Sequence, residues 1–62
     1  MVEFQQTMDP ESMAVVRNGI RIGSLMWHKS RAPRFVNTMD NFEFDLDELR
    51  QVTEKLAEKS AQ

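Results

Sequence analysis

The sequence predicts a small α+β domain, a three-stranded antiparallel sheet covered on one face by a single C-terminal helix in the order β-β-β-α. Three observations predict it. Asn18-Gly19 sits between two apolar runs, Met13 to Val16 and Ile20 to Trp27. Asn-Gly in that setting is the strongest short-range hairpin signal, because a type I′ turn needs φ > 0 at both central residues. Phe44-Asp45-Leu46-Asp47-Glu48-Leu49 carries the marks of a helix start: Asp45 and Glu48 can form a capping box, and Phe44 can pack on Leu49 as a hydrophobic staple. Leu46, Leu49, Val52, Leu56 and Ala57 then recur at helical spacing, and such a stripe must lie on something apolar.

Taken in order, residues 1–10 read either as a loose arm or as a short extra strand, since Val2 and Phe4 alternate with polar neighbours before the Asp9-Pro10 turn. The first strand runs from Glu11 or Ser12 to Arg17 and the second from Ile20 to about His28. A two-residue loop sets Arg17 opposite Ile20, Val16 opposite Arg21, Val15 opposite Ile22, Ala14 opposite Gly23 and Met13 opposite Ser24. Met13, Val15, Ile20 and Ile22 then form the core face. Gly23 marks a bulge, because one extra residue there brings Leu25 and Trp27 onto that same face. The polar stretch 28–33 ends at Pro33 and reads as a hairpin loop. Arg34 to Thr38 follows as the third strand, with Phe35 or Val36, not both, facing the core. The helix spans about 46–58, with Asp47 and Glu48 favoured in its first turn by the helix dipole. Residues 59–62 are expected to fray.

Sixty-two residues make one domain, of a size that buries only roughly 60% of the surface its unfolded chain exposes. Chains this short usually recruit disulfides, a metal or a partner. This one has no cysteine and one histidine, leaving good packing or self-association. Absence of cysteine fits a reducing compartment. No stretch resembles a membrane span or a signal peptide, so a cytoplasmic location is expected. The net charge of −2 hides an asymmetry: residues 12–39 carry Arg17, Arg21, Lys29, Arg31 and Arg34 and no acid, while both flanks are acidic. Such asymmetry arises in a nucleic-acid-facing surface, or when an acidic helix packs beside a basic sheet. The pI of about 5.2 favours the second account.

The candidates for chemistry reduce to two surfaces. Trp27 and His28 beside Arg17, Arg21, Lys29, Arg31 and Arg34 could stack a base and meet phosphates; against this, Trp27 is the largest side chain available to the core. Met8, Val16, Met26 and Met39 could form an apolar patch on the back of the sheet, suited to a protein partner or a second copy. One histidine without cysteine argues against zinc. The acids Asp40, Glu43, Asp45, Asp47 and Glu48 lack the spacing of a calcium loop, and two of them cap a helix. Neither a glycine-rich phosphate loop nor a nucleophile elbow is present. The expectation is a non-enzymatic accessory or regulatory module without cofactor or small-molecule substrate. It binds a protein partner or itself through its sheet face or edge, with nucleic acid as the alternative partner.

Overall fold

A computed structural model describes residues 1–28, 31–39 and 42–61. Its elements are β1 (Glu3–Gln6), β2 (Ser12–Arg17), β3 (Ile20–Met26), β4 (Arg34–Asn37) and α1 (Leu46–Ser60). The strands form one antiparallel meander in the order β1-β2-β3-β4. The sheet therefore has four strands, one more than the three predicted. The extra strand is the N-terminal segment, where Phe4 opposite Val15 adds a cross-strand apolar pair. Among the described residues, no helix is long and apolar enough to cross a membrane.

The central hairpin follows from its two loop residues. Asn18 and Gly19 take φ of 52° and 78°, as a type I′ turn requires. Arg17 pairs with Ile20 and Val16 with Arg21, but the register then shifts: Val15 meets Gly23, Ala14 meets Ser24 and Met13 meets Leu25. The unpaired residue is Ile22, immediately before the predicted glycine. The bulge turns Ile22 and Leu25 to the same side, and both are buried. It also lets the chain beyond it bring Trp27 against the core.

The core gathers Val2, Val15, Ile22, Leu25 and Val52, bordered by Phe4, Trp27, Phe35, Phe42, Phe44 and Leu56. Two of the four predicted core-face residues differ: Met13 is half-buried and Ile20 is 56% exposed. Ile20 opens β3 next to the turn, at the far tip of the hairpin. On β4 it is Phe35 that turns inward, while Val36 stays exposed. Phe35 lies over Gly23, where a Cβ would come within 2.4 Å of the ring. The ring also meets Phe42 and Phe44 edge-on, with centroids 6.0 and 5.4 Å away.

The helix begins as its sequence dictates. Asp45 Oδ1 accepts from the Glu48 amide at 2.8 Å and Glu48 Oε1 accepts from the Asp45 amide at 3.2 Å, a complete capping box. It ends at Ser60, so Lys59 and Ser60 are helical rather than frayed. Its roll departs from expectation. Val52 is buried, yet Leu46 and Leu49 are 69% and 48% exposed. The place on the sheet side that those leucines were expected to share is taken by Glu48, which is buried and bound to Arg17.

Candidate protein-interaction surface

The residues that sequence reasoning grouped as a basic surface go to different places. Arg17 closes β2, and its guanidinium forms a two-pronged contact with Glu48: Nε donates to Oε2 at 2.8 Å and Nη2 to Oε1 at 2.7 Å. Nη2 also donates to the Glu43 carbonyl at 2.6 Å, and the guanidinium lies 5.7 Å from the Phe44 ring centre. With those directions taken, Arg17 braces the helix start instead of offering charge to a ligand. The Arg17 hydrogen bond is also the main reason that the Glu48 carboxyl titrates below its ordinary value of 4.5, burial opposing it and the Asp45 amide assisting.

Arg21 and Arg34 share the sheet's other face. Arg21 Nη2 donates to Ser24 Oγ at 2.6 Å, and Arg34 lies against the Met26 sulfur. Trp27, His28 and Arg31 gather at one end of the molecule in a shallow pocket with Glu11, Pro33 and Lys59. There the His28 ring nitrogens face Glu11 Oε1 at 3.3 Å and Asp9 Oδ2 at 3.7 Å. The imidazole thus stands between the β1–β2 turn and the chain just beyond β3. Lys29, the remaining member of that set, and Asp40 of the acidic run lie outside the described residues.

The methionine patch is likewise divided. Met8 is fully exposed and borders a shallow depression on the back of the sheet with Ala14, Val16 and Arg21. Val16 itself is buried. Met26 is half-buried on that face. Met39 sits elsewhere, beside Ile20, Ile22 and Phe42 at the hairpin tip. Among the described residues, no three His, Asp or Glu side chains converge as a metal ion would need.

A more coherent surface lies between α1 and β4. Phe35 and Pro33 on one side, Phe44 at the end, and Leu49, Thr53, Leu56 and Ala57 on the other line a groove of about 550 Å³ with no charged side chain in its walls among the described residues. Two causes open it. Glu48 and Val52 turn inward, which rolls Leu46 and Leu49 outward, and among the described residues the sheet ends at β4 with no fifth strand to fill the space. β4 consequently leaves one edge unpaired. The Thr38 amide donates to the Ile22 carbonyl at 3.0 Å, so by strand alternation the amides and carbonyls of Phe35 and Asn37 point to the open side. Apolar walls beside free backbone groups can take an added strand or another apolar element.

Sequence reasoning missed the groove, because a stripe of leucines at helical spacing is read as wholly buried. The signal available was Glu48, an acid within the stripe's inner arc, with Arg17 at the end of a strand to receive it. No family model, curated protein or solved structure matches the chain.

Proposed function

We propose that this chain is an interaction module that docks another polypeptide surface through the β4 edge and the groove beside it. One observation carries the reading: Leu49 is 48% exposed in a groove lined by uncharged side chains and bordered by the outer edge of β4, which has no partner strand among the described residues. Exposed leucines scattered singly mean little, but leucines lining a concave apolar surface mark interaction sites. The reading keeps the sheet edge as the docking element and moves the apolar contribution from the methionines to the α1–β4 groove.

The nucleic-acid alternative draws less support. Its cations diverge, with Arg17 engaged by Glu48 and Arg21 and Arg34 on the back face. A phosphate backbone is recognised by several cations along one track.

Benzoylphenylalanine placed at position 49, and separately at position 8, tests the proposal in the cell that makes the protein. The expected result is a photo-crosslinked adduct of defined mass from position 49 and none from position 8. Adducts from position 8 alone, or from neither, would assign the docking role elsewhere.

A further inference from the structure

We infer that α1 has two seats on the sheet, and that the Arg17–Glu48 pair is the latch holding it in the seat that leaves the groove open. In the other seat the helix closes the groove with its own leucines. The inference rests on the docking role proposed above and adds what governs access to that surface.

Successive residues of a helix are turned by about 100°. Leu46, Leu49, Val52, Leu56 and Ala57 therefore share one arc, centred close to Leu49. The side of α1 that meets the sheet is a different one: Glu48 and Val52 are buried there, and Gln51, Lys55 and Lys59 are half-buried beside them. The two directions differ by about a quarter of a turn. An amphipathic helix ordinarily turns its apolar arc to the core. Here that arc faces the groove, with Phe35 and Phe44 across the gap.

A roll through that quarter turn brings Leu49 and Leu56 down toward Phe35 and Phe44, into the space of about 550 Å³ that now separates them. Every charged residue of α1, Glu48 included, then stands about 90° or more from the sheet. The closed seat is thus the one that the pattern of the helix itself favours.

The contacts that oppose the roll are polar. Arg17 holds Glu48 through hydrogen bonds of 2.8 and 2.7 Å. Gln51 Oε1 accepts from the Val2 amide at 3.4 Å, and Lys55 Nζ lies 5.6 Å from the centre of the Phe4 ring. Of these only the Arg17 contact is short, two-pronged and made to a buried acid. Without Arg17 the Glu48 carboxylate is buried with no counter-charge from the sheet, a costly state, and the roll returns it to water.

The chain contains no cysteine, so a single thiol introduced by Thr53→Cys reports access to the groove through its rate of reaction with a charged thiol reagent. Thr53 is exposed and lines the groove in the open seat, and the roll turns it toward the sheet. Glu54→Cys, on an arc that faces away from the sheet in both seats, is the reference. Arg17→Glu sets two acids against each other. It should slow the reaction at position 53 by about tenfold or more, because only the open fraction reacts, and leave position 54 and the circular dichroism unchanged. Adding Glu48→Arg should restore the rate at position 53. A rate there that Arg17→Glu leaves unchanged or raises, or a charge swap that fails to restore it, would overturn the inference. Should Arg17→Glu lose its helical signal, Arg17→Gln removes the counter-charge without adding an acid, and the same slowing is expected. Loss of the helix in that variant too would show that the pair holds α1 on the sheet without choosing between seats, and would also overturn the inference. The thiol rate needs no partner. Closure without a photo-adduct from position 49 keeps the two seats and removes the docking role; an adduct with a rate at position 53 that ignores Arg17 keeps the docking role and removes the latch.

Discussion

Gly23→Ala tests the packing that fixes β4 against the hairpin. An alanine Cβ at this position would sit 2.4 and 2.6 Å from Cζ and Cε1 of Phe35 and 2.6 Å from the Val36 carbonyl oxygen, where ordinary contact begins at 3.4 Å. Something must retreat by about an ångström. The ring can give way only toward the α1–β4 groove that it lines, because Phe42 and Phe44 stand against it elsewhere. The carbonyl belongs to the strand paired with β3. Overpacking of this kind costs about 1–3 kcal/mol. A domain of this size has a total stability of roughly 3–9 kcal/mol, so the upper end removes a third or more of it. The midpoint of thermal unfolding should fall by roughly 5 to 20 °C, followed by the emission of Trp27, the only tryptophan in the chain. The cost should shrink in a Phe35→Leu background, where the ring is gone, without vanishing, because the carbonyl remains. An unchanged or raised midpoint for Gly23→Ala, or an equal cost in both backgrounds, would refute the account of Phe35 lying over Gly23.

Other perturbations probe separate parts of the molecule. Asp45→Ala removes the cap and should cost about 1 kcal/mol, read by chemical denaturation; no measurable loss would mean that the cap contributes nothing to the helix. Leu25→Ala, at a position with no exposure, should cost about 2–5 kcal/mol, whereas Leu46→Ala, at 69% exposure, should stay within about 0.5 kcal/mol. The pH dependence has a definite sign. The folded-state pKa of Glu48 lies below its ordinary value of 4.5, so its contribution is present above that value and is lost as pH falls below it through the folded-state pKa. Glu48→Gln should therefore flatten the stability curve in that acid range, and an unaltered curve would count against the Arg17 contact. Titration with short duplex and single-stranded DNA should leave Trp27 emission unchanged at low and moderate salt. Salt-sensitive quenching would return the pocket of Trp27, His28 and Arg31 to the nucleic-acid reading.

What could be read from the sequence was local. The Asn18-Gly19 turn and the Asp45 cap each depend on a few consecutive residues whose backbone preferences are strong, and both are present as expected. The bulge was legible too, though its unpaired residue is Ile22 and not the neighbouring glycine. The fourth strand was harder to fix, because Glu3–Gln6 has no turn chemistry of its own and gains its partners only from a β2 already in place. Arg17 was the least legible residue. A cation at the end of a strand looks like surface charge until an acid 31 positions away is brought to it by the fold. The separation of Arg17, Arg21 and Arg34 was hidden for a related reason: residues near in sequence alternate between the two faces of a sheet, so Arg21 and Arg34 share the face opposite the helix, while Trp27 turns toward the core.

The same ion pair connects the fold to the proposed surface. Had the inner arc of α1 held another leucine in place of Glu48, the stripe would have settled symmetrically on the sheet and Leu49 would have been covered. A buried ion pair is weak evidence for stability, since apolar residues of similar volume often do as well, and its best-attested use is to fix one arrangement among several. Here Arg17 holds Glu48 with two nitrogens while Glu48 caps the Asp45 amide, so position and roll of the first turn are set together. Rolling the helix about that point turns Leu46 and Leu49 outward beside an edge strand whose own apolar residue, Phe35, remains inside. The groove is therefore a consequence of where one charge was buried, and its two walls, one helical and one extended, are held at a spacing that the sheet alone would not specify.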